Sequence, residues 1–362
     1  MRVALLRPLP SMAQIQGWFG QLDRGCAGPR WPAWWISQRN CCVNSPASPI
    51  GQRPSTVGSP RGSQIVIYPK ALRRLATAMV ITQSAIVVTG AAVRLTGSGL
   101  GCSTWPECTP GSYTPTPDQP EAPIHAWIEF GNRLLTFLLL INAIASFAAI
   151  LKIRARELRI LGASQILGIL AQGVLGGITV LTGLNPATVA AHFLLSMVII
   201  AAAVSLRARA HGYLPSPTQL ALLTERLARG LLVLTASVIV MGTVVTGSGP
   251  HAGDSTAARF DLDAKTISWI HADLVIATLG VAIALLISTK LAESAATWEI
   301  WGRKVKLFLA IALAQGGIGY IQYFTGLPEV IVATHILGAV LVWISIWNLV
   351  ITGNVLTRKE RL

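Results

Sequence analysis

The chain has 362 residues, of which 52% are hydrophobic and only 12% charged, and its mean hydropathy is +0.57. Soluble globular proteins carry about a quarter charged residues, so this composition excludes an ordinary soluble fold. The net charge of +14 does not indicate nucleic-acid binding, because the basic residues are bunched between long apolar runs.

Residues 1–65 differ from the rest of the chain. They are rich in Pro, Ser, Gly and Arg, contain one acid, Asp23, and carry cysteines at 26, 41 and 42. They hold no long apolar run, so neither a signal peptide nor another spanning helix is predicted. We interpret them as a disordered cytoplasmic tail or as sequence upstream of the true start. A mitochondrial presequence or a cysteine metal site fits these residues less well.

Eight apolar runs follow, each close to the roughly 20 residues that a spanning helix needs. They cover 74–96, 124–150, 160–181, 187–206, 230–247, 267–289, 306–325 and 329–353. Helices satisfy their own backbone amides in lipid, and these runs are too long and too continuously apolar for barrel strands. The sequence therefore predicts an all-α integral membrane protein with eight transmembrane helices.

Basic residues are abundant in every second segment that connects the runs and rare in the others. Eighteen Lys and Arg residues flank one side, whereas the opposite loops contain only Arg94, Arg259 and Lys265. Because basic loops stay in the cytoplasm, both ends of the helical region are predicted to be cytoplasmic. The expected location is a bacterial plasma membrane or, alternatively, the mitochondrial inner membrane with both ends in the matrix.

The third and seventh runs repeat each other at a shift of 143 residues. The matching pairs are Ala171-Gln172-Gly173 with Ala314-Gln315-Gly316, Gly176 with Gly319, Thr182-Gly183-Leu184 with Thr325-Gly326-Leu327, and His192 with His335. Residues 96–99 and 246–249 share a weaker likeness. We therefore expect two parallel four-helix bundles, residues 66–210 and 211–362, related by a pseudo-two-fold axis along the membrane normal.

Four of the six histidines come within about two turns of the outer ends of even-numbered runs: His125, His192, His271 and His335. Ionisable residues in spans mark functional sites, and imidazoles on facing helices are typical haem ligands. A bis-imidazole pair is predicted in the second half, and zinc fits less well because no cysteine or carboxylate shares that face. His211 and His251 lie in loops and are expected to be exposed to solvent.

The second run also carries an acid. His125, Glu129 and Asn132 are spaced i, i+4 and i+7, so they share one helix face. Arg133 can neutralise Glu129 in an ion pair, or the carboxylate can serve as a proton acceptor beside a haem. Cys102 and Cys108 lie in the preceding outer loop and are close enough in sequence to form a disulfide. Disulfides persist on that side of the membrane.

These features together resemble the haem A synthase family. The resemblance covers about 68–353. It rests on the eight spans, one membrane histidine on each of the fourth, sixth and eighth runs, and the Ile128-Glu129…Arg133 motif. The outer loop from 97 to 108 and the Gln-Gly…Thr-Gly-Leu segments that lead into His192 and His335 also match. The resemblance implies oxidation of the C8 methyl group of haem O to a formyl group, through a hydroxylated haem O, giving haem A for cytochrome c oxidase.

The resemblance also implies roles for individual residues. His271 and His335 would ligate a resident haem b, and the first half would take haem O, with His125, Asn132, Arg133 and His192 around it. Glu129 would be the essential acid near the methyl group, and the two loop cysteines would form the family's disulfide. Haem O synthase and an electron-transfer protein of unknown identity are the expected partners, besides the lipid bilayer.

The chain departs from the family pattern at one ligand. The family motif is Glu-x-x-His-Arg, and this chain has Asn132 at the position of the histidine. His125 lies two turns away, about 10 Å along the axis. The substrate iron is therefore predicted to be held by His192 alone or with His125. The loop between the fifth and sixth runs has no cysteines to match the first half.

Two other functions remain open. A di-haem b electron-transfer subunit would also need membrane histidines, although haems at one depth do not make a relay across the bilayer. A transporter would also suit parallel repeats, although its site is expected near the midplane.

Overall fold

A computed structural model describes residues 68–117, 122–212, 220–353 and 355. The expected N-terminal tail, residues 1–65, lies outside this described part. Eight long helices make up the fold: α1 (Lys70–Leu95), α2 (Pro123–Lys152), α3 (Arg159–Leu181), α4 (Pro186–Ala210), α5 (Leu222–Ser248), α6 (Ala264–Ala292), α7 (Arg303–Phe324) and α8 (Glu329–Thr352). Short helical turns precede α3 (Arg156–Leu158) and α7 (Ala295–Thr297 and Trp298–Gly302).

The described residues contain no strand, and all eight helices are long and apolar enough to cross a membrane. The predicted fold class, an all-α integral membrane protein of eight spanning helices, is confirmed. The largest difference in bounds is at α5, which begins at Leu222 rather than near 230. The added turns are helical because Glu225 is buried and pairs with Arg229 one turn later, so the helix continues beyond its purely apolar part.

Each half of the chain is a ring of four helices. In the first half α1 packs on α2 and α4, and α3 packs on α2 and α4; α5 to α8 repeat this pattern in the second half. The halves meet where α4 and α8 contact each other, with α1 also against α8 and α5 also against α4. The helix contacts therefore follow the same pattern in both halves, whereas the division into two units at residue 210 and the pseudo-two-fold axis stay predictions.

The contact between the halves is apolar in the middle and is fixed by two indoles. Met197, Ile200 and Val204 of α4 belong to one buried cluster with residues of α5, α6 and α8. Trp343 of α8 donates its indole N–H to the Met197 carbonyl at 2.7 Å, and Trp347 donates to Ser205 Oγ at 2.8 Å. A buried indole N–H needs a partner, so these bonds orient α8 against α4.

The repeated Thr-Gly-Leu segments form the same tight connection twice. Leu184 and Leu327 both adopt positive φ, 58° and 63°, directly after glycines that do the same. In each connection the leucine amide bonds back to a carbonyl five residues earlier, at 2.9 Å. The next helix therefore starts at an equivalent point in both halves, and His192 and His335 each fall on the seventh residue of their helix.

Candidate functional site

The polar face of α2 is turned toward α1 and the loop that follows α1. His125 Nδ1 lies 2.8 Å from Ser98 Oγ, Glu129 accepts from the Cys102 amide, and Asn132 Oδ1 accepts from Thr89 Oγ1 at 2.7 Å. The i, i+4, i+7 spacing thus places three side chains on one face as predicted. Their partners on α1 and its loop are serine, threonine and backbone groups, which no sequence motif marked.

Glu129 is only 6% exposed and is held through both carboxylate oxygens. Its Oε2 accepts from the Cys102 amide at 2.7 Å, and its Oε1 accepts from Arg133 Nη2 at 2.6 Å. A charged hydrogen bond to a carboxylate is short and strong, so this geometry fixes the direction of the carboxylate. The predicted ion pair between Glu129 and Arg133 is confirmed.

Arg133 ties the disulfide loop to α2. Its guanidinium donates to the carbonyl oxygens of Cys102, Thr104 and Glu107 at 3.2–3.3 Å, in addition to its bond to Glu129. Arginine has five donors in a rigid planar group. Here one guanidinium donates both to the Glu129 carboxylate and to the loop carbonyls. The carboxylate and the loop are therefore positioned by one side chain.

The loop is closed by the Cys102–Cys108 disulfide, as predicted. Both cysteines are fully buried. Two glycines allow the loop to sit tightly: a Cβ on Gly101 would overlap the backbone of His125, and one on Gly177 of α3 would overlap the Trp105 ring. Trp105 therefore rests directly on α3, and the loop lies at the end of the first half where α1 ends and α2 begins.

Three histidines share one packing arrangement. His192, His271 and His335 each place the Cε1–Nδ1 edge of the ring against a glycine of the preceding helix. A Cβ on that glycine would lie 3.3 Å, 3.3 Å and 3.1 Å from Cε1 at Gly176, Gly242 and Gly319 respectively. The nitrogen Nε2 is farther from that Cβ position than either Cε1 or Nδ1. These glycines, which sequence patterns suggested only as packing residues, set the space for the rings.

The same histidines have an unusual polar environment. The Nδ1 atoms of His192 and His335 are buried and have no hydrogen-bond partner among the described residues, whereas the His271 imidazole lies within hydrogen-bonding reach of the Val238 backbone. A buried polar atom without a partner is costly and calls for an explanation such as an absent ion or ligand.

Asn132 occupies the fourth position of this arrangement. Its Nδ2 is the nearest atom to a Cβ built on Gly90 of α1, at 3.8 Å, as His192 is to Gly176. The helix pairs α1–α2, α3–α4, α5–α6 and α7–α8 therefore present asparagine, histidine, histidine and histidine. The asparagine is already hydrogen-bonded to Thr89, and His125 lies on the first turn of α2, nearer the helix end.

Two glutamines of the repeat hold the histidine helices. Gln172 Nε2 donates to the His192 carbonyl at 3.0 Å, and Gln315 Nε2 donates to the His335 carbonyl at 2.7 Å. Gly338 permits this second bond, because a Cβ there would overlap the Gln315 amide. The repeated Gln-Gly motif therefore fixes the height of each histidine along its helix.

The expectation of solvent-exposed His211 and His251 was wrong. His211 is half-buried at the end of α4, where Nε2 lies 3.2 Å from Thr77 Oγ1, and burial lowers the pKa of its imidazole. His251 is half-buried in the α5–α6 loop, accepts from Arg94 through its carbonyl, and donates from Nε2 to the Leu327 carbonyl at 2.9 Å. Both histidines join segments that are distant in sequence.

The second half fits a haem ligated by two imidazoles. His271 lies on α6 and His335 on α8, which are opposite members of one ring of four helices, and each packs its imidazole against a glycine of the preceding helix. No group of three or more His, Cys, Asp or Glu side chains suitable for a bare metal ion occurs in the described residues. The first half offers one comparable imidazole, His192 of α4, and a buried carboxylate, Glu129 of α2.

The fold and these side chains define a polytopic membrane protein with two related sites near one end of its helices. The chain matches the COX15-CtaA family model, described as cytochrome oxidase assembly protein, over residues 73–347. The match covers most of the chain, which therefore belongs to this family. Among curated proteins, none matches the chain.

Proposed function

We propose that the protein is a haem A synthase, which oxidises the C8 methyl group of haem O to a formyl group through the hydroxylated haem. The observation that carries this proposal is the asymmetry of the two halves. The second half pairs two glycine-backed histidines, whereas the first half has one histidine, His192, together with the fixed carboxylate of Glu129. One half suits a resident cofactor, and the other suits a substrate.

The second half would hold haem b between His271 and His335. When bound, that haem supplies one-electron redox chemistry. Gln315 positions His335 through its backbone carbonyl, and Gly242 and Gly319 provide the space for both rings. An electron-transfer protein must accept the electrons that the oxidation releases.

The first half would bind haem O through His192. Asn132 and His125 are engaged by Thr89 and Ser98, so His192 is the imidazole that we propose as the protein ligand of the substrate iron. Leaving one axial position open suits oxidative chemistry better than closing it with a second histidine. Arg133, on the same part of α2, orients Glu129 and the loop.

Glu129 would act as the acid–base group at the substrate methyl. Its carboxylate is shielded from solvent and aimed by the Cys102 amide and Arg133. A fixed acceptor can take a proton as the methyl group loses hydrogen, and it can stabilise positive charge nearby. The disulfide loop excludes water from this carboxylate and supplies its amide donor.

Pigment extraction tests the proposed function. The chain is expressed with a haem O synthase in a host that makes no haem A, and total membrane haem is separated by chromatography. Haem A or hydroxylated haem O, absent from the host without the chain, is the expected result. If the membranes contain only haem B and unchanged haem O, the purified chain is extracted as well: bound haem B would identify an electron-transfer subunit, and a chain without haem would favour a transporter.

A further inference from the structure

A groove of about 430 Å³ lies between the first turns of α1 and the end of α4, at the membrane side predicted to be cytoplasmic. Its polar rim is formed by Lys70, Arg73 and Arg74 of α1, with His211 beside them. The contact between His211 Nε2 and Thr77 Oγ1, at 3.2 Å, joins the two helices within the groove. None of these residues belongs to the haem sites.

The groove concentrates positive charge without matching acids. Lys70, Arg73 and Arg74 form no ion pair with any described residue, and Arg73 Nε is buried without a hydrogen-bond partner in the described part of the chain. The acid that lies near this end, Glu157, accepts from the Tyr68 hydroxyl. A guanidinium nitrogen that is shielded from water and unpaired is the group that an anionic ligand would satisfy.

The groove changes from charged to apolar along the direction of the helix axis. Arg74 and Ile81 are seven residues apart, about 10 Å of helix, and Thr77 and Ala78 lie between them in the same lining. Ile81 is 61% exposed, as expected for a side chain facing lipid. A ligand that follows this surface would carry an anion at one end and hydrocarbon at the other.

We propose that this groove binds the headgroup of an anionic phospholipid from the inner leaflet. The phosphate lies against Arg73 and Arg74, with Lys70 nearby, and an acyl chain runs along Ala78 and Ile81. Arginine forks match phosphate oxygens in a bidentate way, and basic pockets between helices on the cytoplasmic side recognise lipid headgroups. The site would anchor α1 to α4 at the side opposite the haem sites.

The test measures lipid retention by the full chain. Purified protein is exchanged into mixtures of phosphatidylglycerol and phosphatidylcholine, and bound lipid is quantified by native mass spectrometry. The variant Arg73→Gln with Arg74→Gln is compared with Arg226→Gln with Arg303→Gln, which removes two exposed charges elsewhere on the same predicted face. Each basic residue near an anionic lipid is worth about fivefold, so the groove variant should lose about 30-fold in phosphatidylglycerol affinity.

The control variant should keep wild-type affinity, and phosphatidylcholine should not compete. Equal affinity in wild type and the groove variant would overturn the proposal. So would displacement of the lipid by inorganic phosphate at comparable concentration, because the ligand would then be a free anion. If the double variant does not fold, Arg74→Gln alone should still lower affinity about fivefold.

Discussion

The carboxylate of Glu129 accepts from a backbone amide and from a guanidinium, and the two donors have different roles. The Cys102 amide fixes one oxygen relative to the disulfide loop, whereas Arg133 also balances the charge. Removing one partner of a buried ion pair leaves an uncompensated charge, which is costly. The same guanidinium donates hydrogen bonds to three loop carbonyls, so its loss affects the loop as well as the acid.

We therefore expect Arg133→Ala to lower the free energy of unfolding by about 3 kcal/mol and to speed reduction of the Cys102–Cys108 disulfide. Arg229→Ala is the matched control, because Arg229 pairs with buried Glu225 at 2.5 Å in the second half. That control should destabilise the protein comparably without changing the rate of disulfide reduction. Thermal unfolding measures the loss of stability, and timed thiol alkylation measures the rate of disulfide reduction. Equal reduction rates in the two variants would show that Arg133 does not hold the disulfide loop.

Asn132 is the second residue with a specific consequence. Asn132→His restores the family motif and places a fourth imidazole opposite Gly90, in the position that His192 has opposite Gly176. In protein loaded with haem O, we expect the electron paramagnetic resonance signal of haem O to change from high-spin to low-spin, beside the low-spin signal that the proposed haem b gives in every variant. Asn132→Leu should leave the haem O signal high-spin, and the lack of a high-spin component in wild type loaded with haem O would show that His192 is not the sole ligand.

At the scale of helices, the recurring element is a glycine that receives a histidine ring. Gly319→Ala would put a Cβ 3.1 Å from His335 Cε1, whereas Gly316→Ala on the same helix meets nothing within 4 Å. We expect Gly319→Ala to cost about 1–3 kcal/mol by overpacking and to lower haem b content per protein. Gly316→Ala should retain haem b fully, and equal haem loss in both variants would mean that helix flexibility, rather than ring space, matters.

Helix existence and order were predictable, because a span must be long, apolar and uninterrupted in lipid. Helix ends were less predictable. The helix α5 begins at Leu222 because it includes a buried ion pair, whose charges lower the local hydropathy and so suggested a break. The sequence repeat correctly placed His192 and His335 at equivalent positions, the seventh residue of their helices. The contacts of His251 and Arg94 were not predictable, since loops far apart in sequence meet only in the folded chain.

The candidate site was also predictable only in part. Spacing along one helix indicated that His125, Glu129 and Asn132 share a face, since helix geometry is local. The donors to that face, Ser98 and the Cys102 amide, come from another segment and carry no chemical signature. The glycines opposite the histidines were visible as a repeated pattern, but only the packed helices show which ring each one accommodates.

At the scale of the whole molecule, the charge distribution predicts that both ends of the helical region face the cytoplasm. Ser255→Cys lies in the exposed α5–α6 loop and Ala296→Cys in the exposed α6–α7 connection. In a background with Cys26, Cys41 and Cys42 replaced by serine, an impermeant maleimide should label the first from outside and the second only after permeabilisation. The reverse pattern would show that the orientation is wrong.

The most direct test of the account compares two isosteric changes, Glu129→Gln and Glu225→Gln. Both acids are buried, 6% and 4% exposed, and both pair with an arginine four residues later, so their structural costs should be alike. With haem O synthase co-expressed, we expect Glu129→Gln membranes to contain haem O or its alcohol but no haem A, while Glu225→Gln membranes still contain haem A. Haem A production by Glu129→Gln would contradict the account.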